Sequence, residues 1–142
     1  MNTTVRNILA FVIGAVVGSV VNITLVGLGM AVVPTPEGFD PTTMESYAAT
    51  AHLLESVNYI PPLIAHAVGC FVGALVAFLI AGSHKHILAL AIGAFTLVGG
   101  VWAANIIPAP TWFIVTDLVL AYLPMALLAV WVGRAVTKTP TV

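Results

Sequence analysis

Charge is what this chain has least of. Only 6% of its 142 residues are charged, four basic and five acidic, against about 25% in a typical soluble protein. No Lys or Arg occurs between Arg6 and Lys85, or between Lys85 and Arg134. A domain so poor in charge has no polar surface to show to water, which excludes a soluble globular protein. It also excludes a nucleic-acid binder, because phosphate recognition needs a clustered basic patch. Cysteine is nearly absent as well. Cys70 stands alone in an apolar run, so there is no internal disulfide, no paired-thiol metal motif and no indication of redox compartment. The chain has no HExxH motif, and no nucleophile elbow surrounds Ser19 or Ser46, so nothing points to a zinc peptidase or a serine hydrolase.

What is present is apolar sequence. Hydrophobic residues make up 61% of the chain, and the mean hydropathy is +1.13. Crossing the hydrocarbon layer as a helix takes about 20 predominantly apolar residues. Four segments qualify, at about 8–33, 62–82, 87–107 and 112–133. Their unbroken runs exclude a transmembrane β-barrel, which needs alternating apolar and polar positions. The first run, Ile8 to Val33, exceeds the roughly 7–15 residues of a signal-peptide core and is read as a retained span. The expectation is an all-α membrane protein, one transmembrane domain over 1–142 built as a four-helix bundle.

Orientation follows from the few bases. Arg6, Lys85, Arg134 and Lys138 fall before the first span, between the second and third, and after the fourth. Four crossings place all of them on one face, which the positive-inside rule makes cytoplasmic. Every acid, Glu37, Asp40, Glu45, Glu55 and Asp117, falls on the opposite side or in its leaflet. In the long outer connection, Asp40-Pro41, or Thr42 boxed with Glu45, offers a helix start. Met44, Tyr47, Ala48, Ala51 and Leu54 then recur at helical spacing. They predict an amphipathic helix over about 41–57, lying on the outer membrane surface or capping the bundle.

Small residues mark where membrane helices meet, since lipid supplies no hydrophobic drive to pair them. Gly14, Gly18, Asn22 and Gly29 share one face of the first span, and His66, Gly69, Gly73 and Ala77 one face of the second. On the third span Phe95, Gly99, Trp102 and Asn105 or Ile106 are expected inward. On the fourth the inward face is expected to carry Asp117, Leu120 or Ala121, Pro124 and Leu128. Pro124 predicts a kink, and Trp102 and Tyr122 are assigned to packing.

The polar exceptions converge in depth. His66, Asn105 and Asp117 all fall within roughly 5–9 Å of the outer ends of their helices, at 1.5 Å rise per residue. Glu55 and His52, on the outer segment, are in reach of that layer. Three readings follow. His66, Asp117, Asn105 and Glu55 bind a small ligand, cation or proton; or His66, Asp117, His52 and Glu55 hold a metal such as zinc, manganese or iron; or Asp117 is a structural polar group, favoured by the start of its own helix and hydrated or bonded to His66 or Asn105, with pairing to His66 expected over capping alone.

The stretches VPTPEGFD, PPLIAHAVG and IIPAPTWFIVTDLVLAYLPMA resemble those of small uncharacterised bacterial four-span membrane proteins. That resemblance spans most of the chain and implies a bacterial inner-membrane protein, with no activity to carry over. Small multidrug exporters fit poorly, because the first span has no glutamate, and no arginine motif of small fluoride channels occurs in the first hairpin. The leading expectation is a non-enzymatic accessory or scaffold subunit in a homo-oligomer or larger membrane complex, held by Gly14, Gly18, Asn22, Gly69 and Gly73. The alternative is a small transporter or ligand-binding protein using the outer Asp-His-Asn layer.

Overall fold

A computed structural model describes residues 2–137, so Lys138, one of the four bases behind the orientation argument, lies outside the described residues. The described chain is helical with no strand, and four apolar stretches are long enough to cross a membrane. It is a multi-pass membrane protein of the four-helix class. Helix α1 runs Thr3–Val32, α2 Met44–Thr50, α3 Ile60–Ile80, α4 Lys85–Ile106, α5 Thr111–Leu120 and α6 Leu123–Thr137.

Helix α1 lies antiparallel along α3 and is pinned at both ends. At one end Asn7 Oδ1 accepts from the backbone N–H groups of Gly82 and Ser83, while Arg6 Nε donates to the Ile80 carbonyl at 2.6 Å. At the other, Gly29 rests on Pro61. Between them the backbones touch. A Cβ on Gly73 would sit 2.7 Å from the Gly14 carbonyl oxygen, and one on Gly18 would sit 2.8 Å from that of Gly69. Glycine is required there because any side chain would have to displace backbone. The small-residue faces thus hold α1 to α3 inside one chain, where dispersion contacts do the work.

The core between α3, α4 and α6 is built mostly of small residues, among them Ala74, Ala77, Ala89, Ala126 and Ala129, around Phe78 and Ile92. The inward face of α4 differs from the expected one. Phe95 is 54% and Trp102 66% exposed, and a Cβ on Gly99 would meet no neighbour within 4 Å, whereas Ala89, Ile92 and Gly93 are buried. Lipid accepts large apolar side chains as readily as the bundle does, so close packing selects the small face.

The fourth span is not one helix. It breaks at Ala121–Tyr122, between α5 and α6, because Pro124 has no N–H for the Leu120 carbonyl. The break changes the facing residues: Asp117, Ala121 and Tyr122 are buried, while Leu120, Pro124 and Leu128 are exposed.

The outer segment also departs from expectation. Instead of one helix over 41–57 it forms the short α2 and two 3-10 turns, Ala51–Leu53 and Ser56–Tyr59. Side chains compete for the backbone at each boundary. Asp40 Oδ1 accepts from the Thr42 N–H and hydroxyl, which takes Asp40 and Thr42 out of the capping role. Thr43 caps α2 instead, in a reciprocal box with Ser46. Glu55 and Asn58 box the second 3-10 turn, and the Asn58 amide also donates to Pro34 O. Pro61 and Pro62 fall within the first turn of α3 rather than ahead of it, a position where the missing N–H costs nothing. Phe39 packs edge-on to Tyr47 at 5.1 Å, and burial pushes the Tyr47 phenol above its ordinary pKa.

Candidate functional site

Asp117 is the buried charged residue of the described chain, 5% exposed. It is far from the start of its helix. In the ten-residue α5 it lies in the last turn, and its carbonyl accepts from Ala121 N–H. The helix dipole there disfavours an anion, so support from the helix start is not what holds it. Side chains do. His66 Nδ1 lies 2.8 Å from Asp117 Oδ1, and the Tyr122 hydroxyl donates to Oδ2 at 2.7 Å. The Tyr122 oxygen is also 3.3 Å from His66 Nδ1, and the two rings stack at 27° with centroids 6.0 Å apart. Both carboxylate oxygens therefore have partners, which is what a buried acid needs.

Three devices position the triad. His66 comes from α3, one turn outward of Cys70 on the same face. Cys70 donates to the Tyr122 carbonyl at 3.2 Å, and Thr96 of α4 donates to the Cys70 sulfur at 3.3 Å. The helix break turns the Tyr122 ring back towards Asp117. Gly100 makes room for it, since a Cβ there would meet the Tyr122 hydroxyl and ring at 2.5–2.7 Å.

The other expected site residues do not join. Asn105 is exposed and its amide donates to the Val101 carbonyl one turn back. Glu55 is exposed and caps a 3-10 turn. His52 is exposed with Nδ1 against Ala49 O. Depth along a helix placed Asn105 in the right layer, but its helical azimuth points it elsewhere, and Glu55, expected within reach from the outer segment, stays at the cap of its turn. Among the described residues no three His, Cys, Asp or Glu side chains gather to hold a metal ion, so the four candidates His66, Asp117, His52 and Glu55 form no metal centre in this arrangement. Tyr122, assigned to packing, is the residue that sequence reasoning missed. Its signal was present: a phenol two positions before a membrane proline, at the level of the acid.

His66 borders two cavities. The outer one, about 200 Å³, is walled by apolar side chains that include Val26, Met30, Phe113 and Leu118, with Tyr47 and Leu54 of the outer segment over it and His66 and Asp117 at its inner end. The second, about 500 Å³, lies between α1, α3 and α4 and is edged by Ser19, Asn22, Thr96 and Tyr122. Asn22 Oδ1 is buried there without a hydrogen-bond partner among the described residues.

No family model, curated protein or solved structure matches the chain.

Proposed function

We propose that this chain is a non-enzymatic membrane protein that binds a small, mainly apolar molecule from the outer side, with the molecule's polar end on His66. One observation carries the reading. His66 and Asp117, hydrogen-bonded in a triad with Tyr122, close the inner end of a mainly apolar cavity roofed by the outer segment. Small-molecule sites have this composition, an apolar wall with a few convergent polar groups, and ionisable groups inside a membrane are commonly functional. The test is thermal unfolding of the purified protein in mild detergent against a panel of small alcohols, phenols, ketones and amines. At least one should raise the Tm of the wild type and leave Ala103→Phe, which fills the boundary between the cavities, unmoved. No shift with any member overturns the reading.

A second reading, an accessory subunit of a homo-oligomer or larger membrane complex, draws on the outward stripe of Phe95, Val98 and Trp102 on α4. The glycine faces that first suggested it are used up between α1 and α3. Disulfide crosslinking of Val98→Cys, with native Cys70 buried, should give a dimer or a defined hetero-adduct in membranes; a monomer by native mass in every mild detergent speaks against it. In either role we place the protein in a bacterial inner membrane with both termini in the cytoplasm, on the positions of Arg6, Lys85 and Arg134.

A further inference from the structure

We infer that the molecule held at His66 is a hydrogen-bond donor, a compact apolar alcohol or phenol, and that Asp117 sets this preference by fixing the imidazole tautomer. The inference rests on the ligand-binding reading above and adds the class of ligand.

An ionised carboxylate can only accept, and both Asp117 oxygens are engaged, by His66 Nδ1 at 2.8 Å and by the Tyr122 hydroxyl at 2.7 Å. The single phenolic hydrogen of Tyr122 is spent on Asp117. At 3.3 Å from His66 Nδ1 its oxygen is then an acceptor too. Nδ1 faces two acceptors, so it must carry the ring hydrogen. In the neutral imidazole the other nitrogen, Nε2, is then a bare lone pair. Every hydrogen bond His66 makes among the described residues runs through Nδ1, and a quarter of its side chain, 25%, is exposed where the ring borders the cavities. What the site presents is an acceptor with no donor beside it.

The surroundings sharpen the choice. Beside His66 the Tyr122 hydroxyl is committed to Asp117; of the donors lining the outer cavity the Asn58 amide is bonded to Pro34 O, and the hydroxyls of Thr35, Tyr47 and Tyr59 sit under the outer segment, at the other end from His66. A carbonyl or ether oxygen entering the cavity would be buried against Nε2, lone pair to lone pair, with its own hydrogen bond to water lost. A hydroxyl would replace that bond with one to His66. Sites built around a hydrogen bond reject the analogue that lacks it. The volume of about 200 Å³ and the apolar walls call for a compact body rather than a long chain.

The test compares para-propylphenol with para-methylacetophenone, matched in heavy atoms but one a donor and the other only an acceptor. Saturable binding to the wild type in detergent is measured by calorimetry, and the His66 ring nitrogens are followed by NMR. The phenol should bind roughly tenfold to a hundredfold more tightly than the ketone. The ring should show Nδ1 protonated and Nε2 bare before binding, with the Nε2 resonance moving on phenol addition. In Asp117→Asn the amide can donate to Nδ1 and push the hydrogen onto Nε2, so the preference for the phenol should vanish or reverse. Equal binding of both probes to the wild type overturns the donor class while leaving the ligand site standing. Saturable binding of neither, together with a flat thermal panel, overturns both. A phenol preference that survives unchanged in Asp117→Asn overturns the role of Asp117.

Discussion

Tyr122 and Gly100 illustrate how single residues hold the triad. Tyr122→Phe keeps the ring that stacks on His66 and deletes only the donor to Asp117 Oδ2. It should destabilise the protein by about 1–2 kcal/mol, the range for hydrogen bonds between membrane helices and for a buried acceptor left unpaired, read by reversible unfolding in micelles. The neighbouring glycines of α4 make a sharper pair. Gly99→Ala meets nothing within 4 Å and should be neutral or slightly stabilising. Gly100→Ala must push the Tyr122 ring aside and should lower the Tm and weaken phenol binding together. Equal behaviour of the two variants would refute the placement of Tyr122. Asp40 offers a pH readout in the outer segment. Its hydrogen bonds from the Thr42 hydroxyl and N–H hold its carboxyl below the ordinary aspartate value. A depressed folded pKa means the turn's stabilisation is present above the unfolded value, about 3.9, and is lost as pH falls through the folded one. The Thr42 amide resonance should therefore shift on acidification below that point and stay constant through neutral pH, and Asp40→Asn should abolish the step.

At the level of elements, the contact between α1 and α3 is backbone on backbone. Gly73→Ala would place a methyl 2.7 Å from the Gly14 carbonyl oxygen and 3.1 Å from the Gly18 Cα unless the helices separate. Overpacking of this kind costs about 1–3 kcal/mol, and the separation should loosen the clip between Asn7 and the Gly82–Ser83 turn. Circular dichroism should show helix content retained while the Tm falls; an unchanged Tm would mean α1 is not held by this face. This interface was legible in the spacing of Gly14, Gly18, Gly69 and Gly73, because small residues are the signal for close approach. The inward face of α4 was not. In water, exposed Phe95 and Trp102 would be penalised, and their burial could have been inferred; in lipid they carry no such penalty, so hydrophobicity says nothing about which way they face. The break at Ala121–Tyr122 was half legible: Pro124 announced a kink, but not that the turn ahead of it would aim Tyr122 at Asp117.

For the whole molecule, the hairpins α1–α3 and α4–α6 put Arg6, Lys85 and Arg134 at one end and the outer segment with the Pro108–Pro110 turn at the other. Single cysteines introduced in place of Ser83 and Glu45, in a Cys70→Ala background, should label from opposite sides of sealed vesicles. Labelling of both from one side would refute the topology. Length and apolar runs determined the class and the spans from sequence alone, because backbone satisfaction in hydrocarbon leaves helices as the solution for runs of this length, and the placement of the scarce bases gave the orientation that this labelling tests. The sequence also singled out His66 and Asp117, since polar groups within spans are rare. The pairing of those two was expected from their shared depth, but tertiary structure alone decided which other polar residues join them. Asn105 shares the depth of Asp117 yet turns away, and Tyr122 arrives through a helix break and the space beside Gly100. Depth is a one-dimensional property that can be counted along the chain, whereas azimuth depends on how neighbouring helices pack and where a proline interrupts them.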